Sequence, residues 1–395
     1  MILTIVNKIL KSIALLPSIM ACSFLTLAIM LSVFELDYNN IEFFKVLTIN
    51  EKDDTQSIFS FTIGGIFTLT VFSYTMVMNV LNRNINNYSP RLIPVLLSER
   101  HHQVILGFTS GTIIYCLAMS ISINNSQNKY FPQIAGSLAI IFAMVCVLLF
   151  IYFLHSVSQS IHINHILKTV YQRGKNNLIK KAEELKGFSA INPDKNFQNK
   201  LHLKRVGHFQ SYDATELEVL ARKYDQIIKV NHIVGDFLNS NDAVISSDKT
   251  IGPDLKKELE RKLTIVMDVP MNCPETSFKH LVEVAVKACS PAINDPGTAI
   301  TCINYLTELF LLRIQYKYEN ELLVNTSEST IIRVVTNNDL IYFCYMEMIN
   351  YMKDDFILPR VIANSLNILR RQERVLLHKD LEEYLTRLDE EYHSK

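Results

Sequence analysis

The sequence predicts a membrane protein: four transmembrane helices, then a cytoplasmic α+β module, then a helical C-terminal region. Three observations carry this. Charge is sparse in the first 155 residues, which hold 15 charged side chains of the 78 in the chain. Within that stretch lie four runs of at least 20 residues free of Lys, Arg, Asp and Glu, at 12–34, 58–80, 104–123 and 134–154. After residue 155 the composition becomes that of an ordinary soluble protein. These features predict a membrane domain over 1–155, a helical connector and linker over 156–200, a small α+β module over 201–270 and a mainly helical domain over 271–395.

A hydrocarbon core of about 30 Å takes about 20 helical residues to cross, and it offers an open backbone no hydrogen-bond partners. Each charge-free run is therefore expected to be a spanning helix. The first also has features of a signal peptide, with Lys8 and Lys11 ahead of it and Ile19-Met20-Ala21-Cys22 resembling a lipoprotein cleavage site. It stays apolar past Cys22 to Phe34, which favours an uncleaved anchor. Basic residues before the first span (Lys8, Lys11), between the second and third (Arg83, Arg91, Arg100) and after the fourth (Lys168, Arg173, Lys175) number 8, against 3 in the other two loops. The positive-inside rule then places both termini in the cytoplasm of a bacterial inner membrane.

The second span is unusually rich in small and hydroxyl residues. Gly64, Thr68, Thr75 and Asn79, spaced 4, 7 and 4, fall on one helical face. They are candidates for lining a pore in a homo-oligomer. The competing expectation is close helix packing with hydroxyls bonded to carbonyls four residues back. Gly107-x-x-x-Gly111 in the third span is a small-xxx-small pattern suited to tight helix contact. No span carries an ionisable side chain away from its ends, which counts against proton-coupled transport and intramembrane hydrolysis.

His155, His162 and His165 cluster where the fourth span ends, but lack the i, i+4 spacing of a helical zinc pair. They are read as polar residues marking exit from the bilayer, and no metal or cofactor is expected. Residues 161–185 continue as a connector helix, and 187–199 read as a linker around Asn192-Pro193-Asp194. Strands are expected at 203–209, 226–234, 243–246 and 264–269. Helices are expected from the Asp213-Ala-Thr-Glu216 capping box to Arg222 and over 253–263. The order β-α-β-β-α-β suggests a split βαβ sandwich.

Further on, Phe278, Leu281, Val282, Ala285 and Cys289 follow helical spacing, and Asp295 with Pro296 opens a helix to Ile314. A strand over 331–335 and helices over 340–352, 359–372 and 379–392 complete the chain. The last carries a stripe (Leu377, Leu381, Tyr384, Leu385, Leu388, Tyr392) for a core or a second subunit. The loop containing Ser290, Asn294, Asp295 and Thr298 is either an anion-holding helix N-terminus or a rigid corner between two helices, the reading its capping residues favour. Nucleotide-binding, hydrolase and zincin motifs are missing, and a Cys289/His280 dyad is geometrically poor, so an enzyme ranks last. Zero net charge argues against nucleic-acid binding.

The chain resembles a bacterial family of predicted membrane proteins, domain of unknown function 2254. The resemblance rests on Tyr88-Ser-Pro-Arg-Leu92, Gln103-Val-Ile-Leu-Gly107, the stretch around Gly235-Asp236-Phe237, and Ser290-Pro-Ala-Ile-Asn-Asp-Pro-Gly-Thr-Ala-Ile-Thr-Cys302. It implies an inner-membrane protein with an N-terminal membrane region and a cytosolic C-terminal domain, and it supplies no activity. Family members tend to carry an Arg-Thr…Gln-Asp segment before the Ser-Pro helix, where this chain has Met271-Asn-Cys-Pro-Glu-Thr276. From residues and resemblance together, the best expectation is a homo-oligomeric, channel-like protein with a regulatory cytoplasmic domain. The alternative is a membrane-anchored sensor or scaffold whose soluble domain binds a protein or small ligand.

Overall fold

A computed structural model of the chain describes residues 15–33, 52–87, 100–125, 133–160, 163–191, 197–267, 273–316 and 322–393. It divides into two compact units, 1–165 and 166–395.

The first unit holds α1 (Leu15–Val33), α2 (Lys52–Asn87), α3 (Arg100–Asn125) and α4 (Gln133–Ser160). Each contains a stretch long and apolar enough to cross a bilayer. The four expected spans are thus all present, and α1 runs unbroken through Cys22. The Tyr88–Leu92 motif lies outside the described residues.

α1 packs chiefly on α3, and α2 on α3 and α4. The α1–α3 contact explains the glycine pattern. A Cβ on Gly107 would lie 2.7 Å from Met20 Sδ, and one on Gly111 would lie 2.9 Å from the Phe24 ring. The small-xxx-small pattern is spent within the protomer, where dispersion contacts must replace the hydrophobic effect. Phe24 then packs edge-on against Phe108, with ring centroids 5.2 Å apart. Polar contacts between helices add to this: Tyr115 donates to the Ala135 carbonyl (3.0 Å), and Gln56 Nε2 to Ser120 Oγ (2.7 Å).

The second unit begins in α5 (Ile163–Glu184), the expected connector helix. Nine short strands follow, interleaved with helices: β1 (Ser189–Ala190), β2 (Asn199–His202), β3 (Gly207–Tyr212), α6 (Ala214–Lys223), β4 (Ile228–Val230), β5 (Phe237–Leu238), β6 (Ala243–Ser247), α7 (Pro253–Lys262), β7 (Leu263–Val266), α8 (Pro274–Ala288), α9 (Pro296–Ile314), β8 (Leu322–Val324), β9 (Thr330–Arg333), α10 (Asn337–Met352), α11 (Leu358–Arg370) and α12 (Lys379–His393).

The strands form a six-stranded sheet, ordered β1-β8-β9-β4-β6-β2, and a three-stranded sheet, β5-β3-β7. Among the described residues only β4 and β9 pair in parallel. This corrects the split βαβ sandwich: strands between 199 and 266 are shared between two sheets, and β8 and β9 reach back from beyond residue 320 to complete the larger one. The strand expected at 203–209 is also corrected. β2 stops at His202 and β3 starts at Gly207, whose φ of +148° only glycine adopts freely. A Cβ there would meet the Val266 carbonyl oxygen at 2.6 Å. The alternating apolar residues across this break imitate one strand, but Val206 is exposed.

One core joins the two sheets to α6 and α7 through Phe209, Leu217, Ile228, Ile245, Leu259 and Ile332. Asp213 caps α6, accepting from the amides of Thr215 (3.0 Å) and Glu216 (3.1 Å). The helices α8 to α11 form a second layer around Phe278, Phe310 and Tyr345, whose rings pack in sequence at tilted angles with centroids 4.7 and 6.0 Å apart. The hydroxyls of Thr307, Ser365 and Tyr345 bond one another inside it. The stripe on α12 turns to this core, with Leu381 and Leu385 buried as α12 packs on α10 and α11.

Arg313 ties these layers together. It is wholly buried at the end of α9. Its guanidinium donates to Asn337 Oδ1 (2.5 Å), the Val335 carbonyl (2.7 Å) and Glu275 Oε1 (3.4 Å), joining α8, α9 and the turn from β9 into α10.

Candidate functional site

Three places carry polar chemistry that the sequence singles out or the fold assembles. The first is the outward face of α2. Gly64, Thr68, Thr75 and Asn79 are all exposed on the protomer. They occupy the middle of the face that α2 turns away from α3 and α4, flanked by exposed Phe61 and Phe72 on one side and Phe67, Val71 and Met78 on the other. A Cβ on Gly64 or Gly65 would have nothing within 4 Å. The hydroxyls satisfy their own helix: Thr68 donates to the Gly64 carbonyl (2.8 Å) and Thr75 to the Val71 carbonyl (3.0 Å). The i−4 hydroxyl bonds are those expected of the packing reading. Among the described residues the small-residue face makes no close packing contact at Gly64 or Gly65.

The second place is the corner between α8 and α9. Asp295 caps α9, accepting from the Thr298 amide (3.1 Å) and the Thr298 hydroxyl (2.6 Å). Asn294 takes a left-handed φ of +47°, which asparagine tolerates, and its amide donates to the Ser290 carbonyl (2.9 Å). Ser290, Asn294, Asp295 and Thr298 are thus brought together, but the amide and hydroxyl of Thr298 face the protein's own carboxylate. Nearby, burial, aided by Asp355 and Asp295, pushes the Cys289 thiol up to about 11, which leaves little reactive thiolate near neutral pH.

The third place escaped the sequence reading. On one face of the six-stranded sheet lies a cleft of about 570 Å³ lined by Phe197, Lys200, His202, Lys229, Asn231, His232, Asn241, Asp242, Ala243, Ser246 and Arg333. Its residues come from four strands and the loops beside them, and run from Phe197 to Arg333, so no local spacing marks it. The one local signal is Lys229, a charge between the buried apolar Ile228 and Val230. That alternation points Lys229 away from the core.

Among the described residues no three His, Cys, Asp or Glu side chains converge as a metal site. His155 and His165 are exposed, and His162 lies outside the described residues.

A four-span bundle followed by a mixed α/β region and C-terminal helices defines the class: a multi-pass protein associated with a lipid bilayer. Within that class the chain belongs to the family of predicted membrane proteins DUF2254, whose pattern it matches over residues 11–369. It is also similar to the uncharacterized protein Mb1321c of Mycobacterium bovis and the uncharacterized protein Rv1290c of Mycobacterium tuberculosis. Each is 24% identical over 261 residues, covering 62% of this chain and 48% of the relative. The chain thus spans about half the length of the curated relatives it matches. No solved structure matches it.

Proposed function

We propose that the chain is a homo-oligomeric, channel-like protein of the bacterial inner membrane, with both termini and the second unit in the cytoplasm, where that unit is regulatory. The observation that carries this reading is the α2 face: its polar, small stripe sits at the centre of the surface left free by the protomer. Turned to lipid, such a stripe forgoes the dispersion that larger side chains would gain. Around a subunit axis it would supply oxygen atoms and room for water. The asymmetry of basic residues between alternate loops supports the orientation. The Ser290–Thr298 corner we read as structural.

Single-channel recording in a reconstituted bilayer tests the pore. Thr68→Leu or Thr75→Leu is expected to abolish current while cross-linking still traps the oligomer. Current unchanged in both variants, or a monomer in detergent, removes the assignment. The second reading, a membrane-anchored sensor, is favoured by the cleft on the six-stranded sheet.

A further inference from the structure

We propose that the cleft of the six-stranded sheet is a binding site for a phosphate group, carried by a small molecule or by a lipid headgroup. The inference rests on the cleft alone and is independent of the α2 face.

Strand register builds the site. Lys200 on β2 and Lys229 on β4 are both partnered across the ladder with Ser246 on β6. The three side chains share one face, with the serine midway between the lysines. Neighbouring strands lie about 4.8 Å apart, which sets the lysine Cα atoms about 10 Å apart, so that both flexible arms can meet one anion between them. Asn231 Nδ2 donates to Ser246 Oγ (2.8 Å) and to the Ala243 carbonyl (2.9 Å), which fixes the centre of the row. Arg333 stands two residues beyond Ile331, the β9 partner of Lys229, and so points to the same face. Its guanidinium donates weakly to the Asn231 carbonyl (3.4 Å). His202 lies at the rim, with Nδ1 2.7 Å from the Asn241 carbonyl oxygen.

The charge balance selects the ligand. Three permanent cations line the cleft against one carboxylate, Asp242, which accepts from the Asn239 amide (2.7 Å). Among the described residues neither Lys200 nor Lys229 is paired with a carboxylate; Lys229 lies over the Phe197 ring, 5.7 Å from its centroid. A second carboxylate, Asp236, stands 3.6 Å from His232 Nδ1 and in the field of Arg333, so the lysines and arginine leave a surplus of one positive charge, which complements an anionic phosphate group. Arginine supplies a planar fork and lysines supply mobile point charges, the combination suited to tetrahedral oxyanions. The volume falls in the range of small-ligand pockets.

The test uses the full chain. In a neutral detergent, sodium pyrophosphate is titrated calorimetrically at fixed ionic strength. In a second arm, flotation is measured with vesicles of phosphatidylcholine alone or with phosphatidylglycerol. Binding in either arm that falls at least tenfold in Lys229→Gln and in Arg333→Gln, and is unchanged in Lys256→Gln on the exposed face of α7, supports the site. The arm that responds identifies the source of the phosphate. Lys200→Gln, an exposed position, serves if the Arg333 variant fails to fold. Absence of binding in both arms, or an equal loss in Lys256→Gln, overturns the proposal.

Discussion

Replacing Arg313 with methionine tests whether one buried cation holds the helical layer to the sheet. Methionine keeps most of the side-chain length and removes only the guanidinium. Three acceptors then lose their donor: Asn337 Oδ1, the Val335 carbonyl and Glu275 Oε1. Asn337 is buried and cannot recruit water freely, whereas the Glu275 side chain is 20% exposed and recovers part of its solvation. Breaking a buried charge network by removing one partner costs about 3–5 kcal/mol. For a unit of this size each kcal/mol lowers Tm by about 2–4 °C, so the expected drop is roughly 6–20 °C. Circular dichroism at 222 nm on the purified chain in detergent reads it, since the sequence has no tryptophan to serve as a fluorescent probe. A drop under about 2 °C, less than 1 kcal/mol, would mean that the network carries no net stability and that apolar packing alone joins the layers.

Gly111→Leu drives a branched side chain into the Phe24 ring and is expected to loosen α1 from α3 at a cost of about 1–3 kcal/mol; cysteine cross-linking between the two helices should become inefficient, and unchanged efficiency would count against the contact. Gly207→Ala places a Cβ against the Val266 carbonyl at a positive φ, and should cost about 1–3 kcal/mol, measured as a loss of hydrogen-exchange protection in β3 and β7. Burial opposes ionisation of Asp236, but the His232 ring 3.6 Å away and the hydrogen bond from the Ile233 amide (3.0 Å), with the field of Arg333, outweigh it and hold the carboxyl below its ordinary value. Its contribution is therefore full above the unfolded-state value of about 3.9 and is lost as pH falls through the lower folded value. Melting measured from pH 6 to pH 3 should show a shallower acid decline in Asp236→Asn, and identical profiles would refute the coupling.

The membrane half was legible because the bilayer imposes a single rule, twenty apolar residues per crossing, that leaves its mark in any window. Helix starts in the second unit were legible for a similar reason: Asp213, Asp295 and Pro296 announce them by local chemistry, and α6 and α9 begin where those residues say. The strands were harder. β1 and β5 have two residues each, and β8 three, too few for alternation to register. Gly207 shows how a turn hides inside an apolar run when its only sign is a backbone angle. For the candidate sites the same division holds. The stripe on α2 and the corner at Asp295 are local patterns visible in one dimension. The cleft depends on Lys200, Lys229, Ser246 and Arg333 meeting through ladder register, and register between distant strands leaves no trace in spacing.

The parallel pairing of β4 with β9 also has a cost in time. Lys229 finds Ile331 across the ladder, with about a hundred residues between them still to be synthesised when β4 leaves the ribosome. At a translation rate of about 5–20 residues per second, that flank of β4 waits roughly 5–20 s for its mate. During this interval a bare strand flank is open to pairing with the wrong neighbours. Nascent chains of this protein should therefore be clients of holdase chaperones, and slowing elongation between codons 230 and 330 should lower its yield more than slowing it elsewhere.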